Sequence, residues 1–164
     1  MKSLRERVLD VPQVGRVSWI GVRPVHGAEL TALGEVEAIE GHGLRGDVAA
    51  AGNLGGNRQV TLMQAEHLPV LAAWTQRAAV DPGSLRRNLL ISGINLIALA
   101  KLEFRIGADV VIRGTGACAP CSKMDDTLGP GGFQAMRGHG GITAQVLRGG
   151  LIRLDDRVWV EPAR

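Results

Sequence analysis

The sequence predicts a mainly β protein: a closed or nearly closed, mostly antiparallel barrel with one main helix and short helical turns. Three observations lead there. Short β-type segments recur along the chain, separated by turns rich in the 23 glycines, so strands outnumber every other element. One stretch alone has convincing helical character. The strands are not interleaved with helices at regular intervals, as a doubly wound parallel sheet requires, and closing the sheet is then the way to remove exposed edges.

In chain order, Val14 to Val22 and Glu35 to Glu40 alternate or run apolar, and Arg58 to Met63 reads as the next strand. The helix is expected over Gln64 to Ala79, with Leu68, Leu71, Ala72 and Trp74 on a partial apolar face. Pro69 belongs near its start or at a kink, because proline has no amide hydrogen to give to a helix interior. Asp81-Pro82-Gly83 ends it. Asn88 to Ile91, Leu102 to Arg105, Asp109 to Arg113, Ile142 to Leu147 and Arg157 to Val160 supply the remaining strands. No internal repeat or low-complexity linker divides the chain, and its 164 residues suffice for one domain spanning 1–164.

Composition narrows the function classes. The start, Met1-Lys2-Ser3-Leu4-Arg5-Glu6-Arg7, mixes charges without an apolar run, and no later stretch is long and uncharged enough to span a bilayer, so no membrane partner is expected. Two cysteines in one tight loop make a poor structural staple; a secreted disulfide scaffold is excluded and a reducing, cytoplasmic compartment is expected. Net charge is +3, and Lys2, Lys101 and Lys123 are the only lysines among 19 basic residues, so the chain's cations are mostly the planar forks that suit anionic small molecules. Nucleic acid is disfavoured, because aromatic residues for base stacking make up 3% and no basic helix stands out.

Four segments carry candidate chemistry. Gly41-His42-Gly43-Leu44-Arg45-Gly46 matches G-x-G-x-x-G, yet a dinucleotide site needs a helix opening at those glycines, and the following Ala50-Ala51-Gly52-Asn53-Leu54-Gly55-Gly56-Asn57 breaks helices. Cys118-x-x-Cys121 is the most informative. A structural zinc site would have to recruit His139, His42 or a carboxylate from distant loops. A thioredoxin-like pair would have to open a helix within a βαβ unit, whereas Pro120 and its small neighbours suggest a loop leaving a barrel strand. There remain one privileged cysteine that ligates a metal or carries sulfur, and the plain alternative of two small packed residues. Arg86-Arg87-Asn88-Leu89 enters a strand and offers a guanidinium fork and an amide to an anionic heterocycle, or forms a solvated turn. In Arg137-Gly138-His139-Gly140-Gly141, the glycines let backbone N–H groups approach an anion and His139 can transfer protons, unless the segment is simply a turn.

Taken in order, Gly43-Leu44-Arg45-Gly46-Asp47, Arg58-Gln59-Val60-Thr61-Leu62, Arg86-Arg87-Asn88-Leu89 with Gly93, Ile106-Gly107, Pro120-Cys121 and Gly140-Gly141-Ile142-Thr143-Ala144-Gln145-Val146 resemble the MOSC domain. That family is named for the C-terminal domain of molybdenum cofactor sulfurase and also occurs in the mitochondrial amidoxime-reducing component and in small bacterial proteins. The resemblance is clearest over 35–160. It implies a MOSC-type β-barrel and a pocket for the molybdenum cofactor, a molybdenum-pterin dithiolene bearing a phosphate. By residue matching, the family's characteristic cysteine, which resembles a thiolate ligand to molybdenum, falls on Cys121. The Arg-x-Asn element falls on Arg86 and Asn88, placing them on the pterin phosphate or ring edge; Arg58 and Arg137 are further candidates for the anionic cofactor.

The activity that the resemblance implies is two-electron reduction of a small N-hydroxylated substrate, with electrons from a donor protein and with Cys121 as a catalytic residue; His139, set between Gly138 and Gly140-Gly141, is the second expected catalytic residue, supplying a proton at the pocket mouth. The alternative is a sulfur carrier in which Cys121 accepts persulfide sulfur from a cysteine desulfurase; pyridoxal phosphate would belong to that partner and not to this chain. Two departures stand out. The Gly-Asp pair is followed here by Val48-Ala49-Ala50 in place of a basic residue and His, and a late Gly-Asp turn is replaced by Asp155-Asp156.

Overall fold

The computed structural model describes residues 1–52 and 54–162. Seven strands close a barrel: β1 (Gly15–Val22), β5 (Val60–Gln64), β6 (Leu89–Ser92), β7 (Glu103–Ile106), β8 (Val110–Ala117), β9 (Ile142–Arg148) and β11 (Arg157–Trp159). Around the barrel the order is β1-β6-β5-β9-β8-β7-β11, and β11 returns to β1 through Gly15–Val158 and Arg16–Arg157. Every neighbouring pair is antiparallel except β5 and β6, where Leu62, Met63 and Gln64 run parallel to Leu89, Leu90 and Ile91. That exception has a covalent cause. A parallel neighbour needs a long crossover, and the chain makes one outside the barrel through a helix and a 3-10 turn before re-entering at Leu89.

Alternation along these strands sends Val17, Ile20, Leu62, Leu89, Phe104, Ile112 and Val146 inward to a dry core. Three strands too short to display a period were not legible in the sequence: β2 (Thr31–Leu33), β4 (Gly43–Leu44) and β10 (Gly150–Arg153). The first extends the edge of β1, whereas β4 and β10 flank β3 (Glu35–Ile39) in a separate small sheet. The G-x-G-x-x-G segment is therefore a strand turn, as its helix-breaking sequel implied. Gly43, at φ 132°, brings the chain so close to β5 that a Cβ would lie 2.5 Å from the Gln59 carbonyl oxygen.

The main helix is shorter than expected. α2 spans His67–Trp74, not Gln64 to Ala79, because each end is claimed by other interactions. Gln64 closes β5, its amide donating to the Ile91 carbonyl at 3.3 Å and accepting from the Leu96 N–H at 2.9 Å. Beyond Thr75, Gln76 turns left-handed at φ 55°. Pro69 stands in the first turn as required. Leu71 and Ala72 face inward, but Trp74 is 57% exposed and does not join the apolar face.

Three other short helices were not foreseen: α1 (Leu4–Leu9), α3 (Met124–Leu128) and α4 (Gly132–Met136). α1 carries a full capping box between Ser3 and Glu6 yet buries none of its residues. α3 and α4 stack with α2 on one side of the barrel, where Met63, Leu71, Leu85, Leu90, Met124, Leu128 and Met136 form a second apolar cluster. No helix among the described residues is long and apolar enough to cross a membrane.

Candidate functional site

β8 ends at Ala117, and the chain then folds over the rim of the barrel through both cysteines into α3. Cys118 is 3% exposed, and its N–H donates to the Gly141 carbonyl at 2.8 Å. That contact requires a bare backbone opposite: a Cβ on Gly140 would stand 2.0 Å from the Cys118 carbonyl oxygen. Cys121 is half-buried, rests against the second apolar cluster and lines a cleft of about 280 Å³, at the lower end of the range for small-molecule sites.

The cleft's polar lining is assembled from four distant parts of the chain. The end of β1 brings Arg23 and His26, the turn after β4 brings Asp47, the approach to β5 brings Arg58 and Thr61, and the entry to β6 brings Arg86, Arg87 and Asn88. Asn88 is the keystone. Its Oδ1 accepts from the Thr61 N–H and hydroxyl, both at 3.1 Å, and its Nδ2 donates to the Gly21 carbonyl at 3.1 Å and to Asp47 Oδ2 at 2.9 Å. An amide has two donors and an acceptor oxygen with two lone pairs, so Asn88 has nothing left for a ligand. Asn88, expected on the cofactor, lines the cleft and ties three strands and the Asp47 turn into its floor.

Asp47 is held too, accepting from the Arg23 N–H at 2.8 Å and the Ala49 N–H at 3.0 Å besides Asn88. It is the carboxylate among the described lining residues, and it faces four guanidiniums, those of Arg23, Arg58, Arg86 and Arg87. None of the four makes an ion pair among the described residues. Arg23 Nε is buried without any hydrogen-bond partner, and its guanidinium is held below its ordinary pKa by burial and then by the charge of Arg86, against the opposing pull of Asp47. Arg87 is 2% exposed and also depressed, chiefly by burial; the sulfurs of Cys118 and Cys121 act in the opposite sense. Its donors are satisfied by carbonyls, Gly140 at 2.7 Å, Leu85 at 3.2 Å and Ala119 at 3.2 Å, so it fastens the cysteine loop to two neighbouring turns. Arg86 adopts a left-handed φ of 61°, an unusual conformation for a residue with a side chain, which turns it away from its buried neighbour.

Of the residues expected at the site, Cys121, Arg58, Arg86 and Asn88 come together and two do not. Arg137 is exposed, with Nη1 on Gln134 Oε1 at 3.1 Å. His139 turns its ring to His67 and Trp74 on α2 and is not among the cleft's lining residues, so its placement at the mouth of the pocket is corrected. The site also holds Arg23, His26, Asp47, Thr61 and Arg87, which the sequence reading did not assign. Arg23 was discoverable, being the first charge after the apolar end of a strand; the burial of Arg87 beside a half-buried Arg86 was not. Val48 and Ala49 line the rim where the family pattern carries polar groups, leaving that side apolar. No group of three or more His, Cys, Asp and Glu that would hold a metal ion by itself occurs among the described residues.

The MOSC domain family model matches residues 25–159, a span running from beside Arg23 through the last strand of the barrel. This chain belongs to the MOSC family. The MOSC fold is shared with solved structures of low identity. The YuaD protein of Bacillus subtilis is 16% identical with a TM-score of 0.75 over 91% of this chain and 97% of that one. YiiM of Geobacillus stearothermophilus is 18% identical, TM-score 0.68, over 90% and 75%. YiiM of Escherichia coli is 20% identical, TM-score 0.67, over 91% and 71%. No protein of curated function matches significantly. The donor set fits the cofactor with which MOSC domains are associated, since an anionic group answers the unpartnered Arg23 Nε and the uncompensated guanidiniums, and a thiolate answers a thiophilic metal.

Proposed function

We propose that this MOSC chain binds the molybdenum cofactor in the cleft at Cys121 and reduces small N-hydroxylated compounds there. The observation that carries the reading is a half-buried thiol facing the same small cleft as four guanidiniums that have no carboxylate partner. Arg23, Arg58 and Arg86 hold the phosphate and orient the pterin; Cys121, as thiolate, is the protein ligand to molybdenum. Arg87 acts through the loop, keeping the segment from Ala119 to Cys121 in one position. The bound cofactor supplies the two-electron redox chemistry.

Reduction of an N-hydroxyl group consumes two electrons, taken from a donor protein, and two protons, and releases water. His26 replaces His139 as the side chain placed to pass a proton, since it is exposed and lines the cleft. The apolar Val48 and Ala49 rim favours a substrate with a neutral, apolar body on that side. The test is molybdenum and pterin content after expression in a cofactor-competent host. Stoichiometric loading of the wild type and its loss in Cys121→Ser support the reading. A metal-free protein that carries a persulfide on Cys121 after incubation with a cysteine desulfurase replaces it with the sulfur-carrier role.

A further inference from the structure

Outside the cleft, one pair of side chains has no part in the reading above. His67, the first residue of α2, and His139, in the turn before β9, are separated by 72 positions, yet their Nδ1 atoms lie 3.3 Å apart. The rings meet edge to face with centroids 4.5 Å apart, and the Trp74 ring closes over His139 at 5.1 Å. Neither Nε2 has a protein partner among the described residues, so nothing in the fold prevents both rings from carrying their proton there. With one proton on Nδ1 the pair is an N–H···N hydrogen bond; with both protons on Nε2 the two Nδ1 lone pairs face each other and can share a cation.

The geometry points to a divalent transition-metal site, of zinc type, bridged by His67 Nδ1 and His139 Nδ1 and completed by water. Two imidazole nitrogens on one tetrahedral zinc ion, each about 2.0–2.1 Å from it, stand about 3.3–3.4 Å from one another, which is the spacing observed. The carboxylate of Glu66, the preceding residue, lies within electrostatic reach of His67 and so of a bound cation. Glu66 is itself held in place, its Oε2 accepting from Gln64 Nε2 at 3.2 Å and from the Gly93 N–H at 3.1 Å. His67 also lines an open groove of about 1010 Å³, which gives the ion and its waters a way in. Such a site would pin α2 to the turn whose Gly140 carbonyl receives Arg87.

The experiment is titration of the tag-free full chain with zinc chloride, followed by calorimetry, in a Cys121→Ser background so that the cleft thiol does not compete. One equivalent is expected to bind, and His67→Ala and His139→Ala are each expected to weaken binding by about a hundredfold, at least the loss that follows removal of even a supporting residue at a metal site. In parallel, the imidazole ¹⁵N resonances of the unsubstituted rings report coordination without any substitution at the pair: zinc is expected to shift both Nδ1 signals and leave both Nε2 protonated. Absence of zinc binding, binding that survives either histidine substitution, or Nδ1 signals that zinc does not move would overturn the site.

Discussion

Two hollows of the molecule are opposite in character. The larger, about 1010 Å³, runs between α1, β5 and the 3-10 turn at Leu96–Leu99, and its walls include Val8, Val11, Ile94, Ile97 and Leu102. The smaller, about 280 Å³, is ringed by guanidiniums and reaches Cys121. Volume alone would choose the first. What separates them is how their polar groups are held: in the small cleft Asn88 has every bonding position of its amide engaged, Asp47 accepts three hydrogen bonds and Arg87 is clamped by three carbonyls, whereas α1, one wall of the large groove, buries nothing at all. A site able to orient an anionic ligand needs cations on a supporting shell that does not move, and the small cleft has both.

The largest effect expected on this contrast comes from the thiol. Cys121→Ser should bring molybdenum and pterin in the purified protein to background, while Cys118→Ser, altering a buried sulfur outside the cleft's lining, should leave substantial cofactor bound. Equal loss from the two would erase the distinction between a ligand and a packed residue.

Next comes the floor. Asn88→Ala strands the buried Thr61 N–H and takes a donor from the Gly21 carbonyl and from Asp47 Oδ2, which keeps only the Arg23 N–H, and should lower unfolding stability by about 3–5 kcal/mol in urea denaturation. A loss under about 1 kcal/mol would mean that the network is no more rigid than the groove wall.

Arg86 separates binding from stability. Arg86→Ala should weaken cofactor retention by about 1.5–3 kcal/mol, roughly ten- to a hundredfold, through one lost charge-assisted contact. Arg86→Gly should lose the same binding yet unfold about 0.5–1 kcal/mol later than wild type, since φ 61° is strained for arginine and free for glycine. Unchanged retention in both variants would return Arg86 to a solvated turn.

The smallest effect belongs to the groove. Ile97 is exposed, so Ile97→Ser should move stability by less than about 0.5 kcal/mol and leave molybdenum content as it was. Cofactor loss from this substitution would show that the two hollows are coupled.

How legible each part was depended on the range of the interactions behind it. Strands such as Val14 to Val22 and Ile142 to Leu147 announce themselves because a buried face imposes a period of two on the sequence itself. α1 was equally legible in its Ser3-x-x-Glu6 capping box, a local signal that went unread because the helix has no apolar stripe. Gln64 was lost to the helix because its amide bonds Ile91 and Leu96, residues far along the chain. The same reason explains the site. Arg86, Arg87 and Asn88 read as one polar tetrapeptide with Leu89, yet they became a strained, half-buried cation, a buried clamp and a saturated keystone.

By itself, the sequence determined a glycine-punctuated barrel, because strand period and turn chemistry are written within a few residues of one another, and its ordered motifs carry the resemblance to the MOSC domain that singles out Cys121. Tertiary structure alone decided which polar groups face the cleft. Whether a side chain is free for a ligand depends on the partners it has already met, and those of Asn88 come from β1, β5 and the Asp47 turn, while His139 meets His67 across 72 positions. No local pattern encodes such meetings, since they exist only once the barrel has closed.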